Sequence, residues 1–252
     1  MASREELLRE LGLSSWRLRA GAPEEPARDD EARIAVATIA GPSARLVSVE
    51  DPAARRARIA ALDWTTFDAD VAACTACPLC RSRRRTVPGV GDREAEWLFV
   101  GEGPGAEEDV KGEPFVGQAG KLLDNMLAAL GMRRGERVYI ANVVKCRPPN
   151  NRAPEPGEAE ACRPYLERQI ALLRPRIIVA LGRSAASLLL ATDASIASLR
   201  GRVHRYDATP LVVTYHPAYL LRTLADKAKA WEDLLFARRV ASSAPPAPPP
   251  VA

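Results

Sequence analysis

The chain has 252 residues, 47% of them apolar, with 36 Lys and Arg against 32 Asp and Glu. That suffices for one sizeable core with extensions, and no run approaches the roughly 20 apolar residues of a membrane span. A net charge of +4 permits a nucleic-acid partner without demanding one.

The charge is uneven. Residues 1–62 balance ten basic against ten acidic side chains, so the whole surplus lies in 63–252. The first residues, Met1 to Glu6, are charged where a signal peptide needs an apolar core. The expected compartment is the reducing cytoplasm, where five cysteines point to metal rather than to disulfides.

Residues 3–19 predict a short, solvated amphipathic helix carrying Leu7, Leu8, Leu11 and Leu18, where an unidentified protein partner could dock. Residues 20–60 are rich in Ala, Pro and Arg, and Trp16 is the only aromatic before Trp64. Such a segment cannot bury enough apolar surface to offset its ordering entropy, so it is expected to be disordered or loosely helical. Residues 1–62 thus read as an extension, 63–240 as the domain, and 241–252 as a Pro-rich tail of polyproline type.

Four short apolar runs predict strands at 97–100, 138–144, 177–181 and 211–215. Helical spacing marks 118–130, with Gly131 as a stop, then 157–173, 183–191 and 224–240, the last with Trp231, Leu234 and Leu235. The alternation is βαβαβαβ, which argues for a parallel sheet with helices on both faces.

The first strand runs into Gly101-Glu102-Gly103-Pro104-Gly105-Ala106-Glu107-Glu108-Asp109. Ligands bind at the carboxyl ends of such strands, and here glycines admit close approach while acids offer proton chemistry. Phe115 follows in a Gly/Pro-flanked loop that suits either the core or a stacking platform for a base. Asn142 ends the second strand, with an amide able to read an imide edge or to be satisfied by a neighbouring loop. His216 lies just past the fourth strand, on the same sheet edge. His204, the other histidine, reads as ordinary surface or core.

Cys74 and Cys77 form a C-x2-C pair, and Cys146 and Cys162 are separated by fifteen residues. Four thiolates suit zinc or an iron–sulfur cluster. Cys80 makes five, and C-x2-C-x2-C is itself cluster-like spacing, so the residues alone leave the set of four open.

In combination and order, GEGPGAEED, GEPFVGQAGKLLDNML, NVVKCRPPNNRAPEP and HPAYLLR resemble the family 4, iron–sulfur uracil-DNA glycosylases over about residues 70–240. The resemblance implies a three-layer α/β/α fold around a four-stranded parallel sheet. It implies a structural [4Fe–4S] cluster on Cys74, Cys77, Cys146 and Cys162, with Cys80 as the extra. Glu102 would position or activate water, and Gly103 stands where other branches carry a catalytic Asp. Glu108 would crowd the pyrimidine 5-position, Phe115 would stack on uracil, Asn142 would bind its polar edge, and His216 would donate to O2. The basic clusters Arg81, Arg83, Arg84, Arg85 and Lys145, Arg147, Arg152 would hold phosphates, and Leu220 or Leu221 would wedge into the DNA.

The expected activity is monofunctional uracil excision from single- or double-stranded DNA by a monomer. A superfamily relative that traps DNA covalently uses a His in an inserted loop. Residues 147–161 hold no His and no insertion, so turnover is expected. Two other readings compete: a non-catalytic iron–sulfur DNA-binding protein, and a glycosylase for another deaminated base such as hypoxanthine.

Overall fold

The computed structural model describes residues 51–243. Six strands form one sheet in the order β1-β3-β2-β4-β6-β5. They are β1 (Val90–Gly91), β2 (Trp97–Gly101), β3 (Val138–Asn142), β4 (Ile177–Leu181), β5 (His204–Tyr206) and β6 (Thr209–Thr214). The middle four are parallel, as expected. The short edge strands β1 and β5 pair antiparallel; β5 lies in the segment around His204 whose alternation reads as hairpin-like, whereas β1 was not expected, because two residues leave no periodicity to read.

Every residue of β2, β3 and β4 is buried. That is why these strands are continuous apolar runs: helices cover both faces of a parallel sheet. Strand alternation then sorts the core. Leu98, Val100, Tyr139, Ala141, Ile178 and Ala180 face one layer, with α1 (Pro52–Ala60), α2 (Phe67–Ala73), α5 (Pro156–Leu173) and α6 (Arg183–Leu190). Trp97, Phe99, Val138, Ile140, Ile177 and Val179 face the other, with α4 (Gln118–Ala129) and α9 (Lys227–Ser243). The short helices α3 (Ala106–Lys111), α7 (Ile196–Leu199) and α8 (Pro217–Leu220) complete the α-helices of the described residues.

Several boundaries differ from expectation. Helix α1 lies inside the segment expected to be loosely structured. Asp51 caps it by accepting the Ala54 N–H at 2.9 Å, and Pro52 supplies a preset first turn. Ile59 enters the core, and Arg55 donates to the Ala161 carbonyl at 2.8 Å while lying over the Tyr165 ring. The folded body therefore begins by residue 51. Strand β3 ends at Asn142, although Val143 and Val144 still donate to the Gly101 and Glu102 carbonyls. The last helix starts at Lys227 after a 3-10 turn and leaves Trp231 exposed. Gly131 does stop α4, with φ 74°. The helix expected over 3–19 and the proline tail lie outside the described residues.

Candidate active site

Parallel order brings Gly101, Asn142, Gly182 and His216 to one sheet edge. Gly101 pairs with Asn142 across β2 and β3. A Cβ on Gly101 would stand 2.4 Å from Asn142 Oδ1 and 2.7 Å from Phe115 Cζ. The missing side chain is what lets the amide and the ring meet over the strand end. Gly182, at φ 91°, does the same for His216, whose Cβ would lie 2.8 Å from an added Cβ. The Phe115 and His216 rings sit 5.5 Å apart, tilted by 31°.

Asn142 is buried, and its Oδ1 has no hydrogen-bond partner. A buried acceptor left unmade costs about 1–3 kcal/mol, so this one is an open position for a donor.

His216 is held as a neutral donor. Its Nδ1 accepts the Ala218 N–H at 3.1 Å, which leaves the proton on Nε2. Burial pushes its pKa down to about 4, the Arg222 charge adds to this, and Glu108 opposes it.

The acids of the glycine-rich turn divide. Glu108 accepts backbone N–H groups from Gly105 (3.0 Å), Val116 (3.1 Å) and Gly117 (3.4 Å), which ties the turn to the Phe115 loop. Asp109 is buried and accepts from the N–H groups of Arg84 and Arg85. The half-buried Glu102 carboxylate makes no hydrogen bond or ion pair among the described residues and remains open to water. At Gly103 an added Cβ would stand 2.8 Å from Val144 Cγ2, inside the core.

Leu220 and Leu221 also divide: the first is 1% exposed, the second 42%. The basic clusters need correction. Lys145 is buried, donating to the Asn142 carbonyl (2.7 Å) and Gln169 Oε1 (2.5 Å), so it cannot reach phosphate. Arg83 donates to Cys146 Sγ (3.1 Å) and to the carbonyls of Cys74 and Ala72. Arg152 forks onto Glu158 at 2.8 and 2.7 Å. Arg81, Arg84 and Arg85 remain exposed, and Arg147 is half-buried against Asn151.

Cys74 and Cys77 pack against the same core cluster that contains Cys146 and Cys162. Sulfurs receive N–H groups: Cys74 from Arg55 (3.5 Å), Cys146 from Arg83, and Cys162 from the Lys145 backbone (3.3 Å). Burial pushes the Cys162 thiol up to about 12 and raises Cys77 and Cys146. Among the described residues, no three Cys, His, Asp or Glu side chains close into a single-ion shell. The donor chemistry, two buried and two half-buried cysteines with N–H bonds to three of the sulfurs, fits thiolate ligation of a cluster.

Three features escaped the sequence reading: the Lys145–Gln169 pair behind Asn142, the backbone role of Glu108, and an Arg134–Asp124 pair beside the Phe115 loop. Gly120, isolated inside an apolar helical pattern, was the available signal for the last, since such a glycine usually has a packing reason.

The family model for the uracil DNA glycosylase superfamily matches residues 88–235. The chain is 48% identical over 160 residues to a type-4 uracil-DNA glycosylase of Archaeoglobus fulgidus, covering 60% of this chain and 80% of that one. It is 48% identical over 156 residues to the type-4 enzyme of Thermotoga maritima, covering 61% and 81%. A type-5 enzyme of Thermus thermophilus is 40% identical over 121 residues, covering 42% and 55%. These matches show that the chain belongs to the uracil-DNA glycosylase superfamily, in its type-4 branch.

Proposed function

We propose that this protein excises uracil from DNA by hydrolysing the N-glycosidic bond of a flipped deoxyuridine. The observation that carries the reading is the unpartnered Oδ1 of Asn142, buried beside Phe115 and His216 at the sheet edge. A flipped uracil brings an N3–H to such an acceptor.

Flipping costs roughly a few kcal/mol, offset by stacking on Phe115 and by the Asn142 hydrogen bonds. As the glycosidic bond breaks, electrons move onto the base and the sugar becomes oxocarbenium-like. The His216 Nε2–H donates to uracil O2 and stabilises the growing negative charge, an effect typically of ~3 kcal/mol. Water held by Glu102 adds its oxygen to C1′, and its proton leaves toward Glu102. With no carboxylate at position 103, the leaving-group side carries much of the barrier lowering.

Glu108, fixed by three backbone amides, stands as a rigid wall at the pyrimidine 5-position and helps reject thymine. The exposed Leu221, rather than Leu220, serves as the DNA wedge. Arg81, Arg84 and Arg85 contact phosphates without reading sequence.

Cys74, Cys77, Cys146 and Cys162 would hold a [4Fe–4S] cluster, with Cys80 outside the set. When bound, the cluster supplies cross-links between the 74–80 turn, the loop after β3 and helix α5. We place the enzyme in the cytoplasm as a monomer that turns over rather than traps its product.

A non-catalytic DNA platform has no use for an orphaned acceptor and a neutral buried histidine at one strand edge. The test is base release from U:G, U:A and single-stranded U substrates, with hypoxanthine and xanthine as comparisons. Release of uracil by the wild type is expected. No release from any uracil substrate sinks the proposal.

A further inference from the structure

Phe115 has φ 54°, in the left-handed region. A non-glycine residue held there costs on the order of 1–3 kcal/mol and persists only where the surroundings over-determine it. Those surroundings are unusually explicit. Arg134 donates Nη1 to the Pro114 carbonyl and Nη2 to the Phe115 carbonyl, both at 2.8 Å. Asp124 Oδ1 orients the guanidinium, accepting from Nε at 3.1 Å and Nη2 at 3.0 Å. Gly120 admits the same Phe115 carbonyl to α4, since a Cβ there would stand 1.7 Å from that oxygen. On the other side, Glu108 takes the Val116 N–H. The carbonyls on either side of the bend meet a cation, and the N–H after it meets an anion.

We propose that Arg134, oriented by Asp124, is a positioning residue that presets the Phe115 ring for base stacking. The inference rests on the uracil-pocket reading above. Arg134 touches neither the pocket nor the base; it acts only through Phe115. Surface ion pairs contribute little on their own, and Asp124 is about half exposed. The weight therefore lies in the fork, which reaches both carbonyls flanking the strained residue. Lys has no planar fork and can satisfy only part of this. A ring already in place lowers the ordering cost of binding.

The test uses the full chain and the variants Arg134→Ala, Arg134→Lys and Asp124→Asn, alone and with Phe115→Ala. Single-turnover uracil release under excess saturating enzyme gives a rate constant that does not depend on the folded fraction. Affinity for duplex with a tetrahydrofuran abasic site reports DNA binding without a base. Arg134→Ala should slow release on the order of tenfold, Arg134→Lys by somewhat less, and Asp124→Asn least, with abasic-site affinity within about twofold of wild type. In the Phe115→Ala background the Arg134 change should add less than about twofold.

Unchanged release in folded Arg134→Ala, or an equal further loss without the Phe115 ring, overturns the inference. If Arg134→Ala does not fold, Arg134→Lys and Asp124→Asn decide it by the same criteria. A wild type that releases no uracil instead sinks the functional reading itself.

Discussion

The Nδ1 atom of His216 accepts the backbone N–H of Ala218 at 3.1 Å, and that bond decides which ring nitrogen carries the proton. Nε2–H is thereby aimed as a donor, and burial keeps the ring uncharged. His216→Ala should slow uracil release by about 10²–10³-fold. The ring should titrate near pH 4 by NMR, so release should show no histidine step between pH 6 and 8. The folded pKa lies below the unfolded 6.5, so the stability from a neutral His216 is complete above pH 6.5. It is lost as pH falls from 6.5 toward about 4, by up to about 3 kcal/mol. The denaturant midpoint of wild type should keep a constant offset from that of His216→Gln above that window and fall relative to it as pH drops through the window.

Asn142 trades stability for recognition. Asn142→Leu removes an unsatisfied buried acceptor at similar volume, so its unfolding temperature should stay level or rise, by up to about 1 kcal/mol of stability. Uracil release should fall at least about a hundredfold. A variant that loses stability while keeping activity would contradict the assignment.

Gly103 is glycine because Val144 stands where a side chain would begin. Gly103→Asp should not restore a stronger base. It should lower stability by about 1–3 kcal/mol through overpacking and reduce release. Combined with Val144→Ala, it should be no less stable than Val144→Ala alone, as measured by thermal unfolding.

Leu220 and Leu221 are neighbours with opposite fates. Leu220→Ala should cost about 2–5 kcal/mol of stability. Leu221→Ala should leave stability within about 0.5 kcal/mol and slow release from duplex more than from single-stranded DNA. Equal effects on the two substrates would remove Leu221 from the wedge role.

The cysteine assignment is tested by composition as well as activity. Anaerobically purified wild type and Cys80→Ser should be coloured and carry equal iron. Cys146→Ser and Cys162→Ser should lose both. Colourless protein carrying zinc, or loss of iron in Cys80→Ser, would reassign the site.

The middle strands, the principal helices and the shared sheet edge of Asn142 and His216 were legible in the sequence, because each rests on local order. Continuous apolar runs mark doubly covered strands, 3.6-residue spacing marks helix faces, and residues just past strand ends share one sheet edge in a parallel fold. The type-4 resemblance rests on motifs kept in chain order. The remaining side-chain roles depend on partners far away in the chain. Lys145 reads as a phosphate contact until Gln169 and the Asn142 carbonyl enclose it. Asp109 reads as one of the turn's proton-handling acids until the amides of Arg84 and Arg85 bind its Oδ1, and nothing local shows that Glu108 is held by the amides of Gly105, Val116 and Gly117. Arg55 reads as part of a loose extension until Ala161 and Tyr165 receive it. Composition and spacing say which chemistry a side chain offers; whether that chemistry faces a ligand or the protein's own backbone is set by long-range packing.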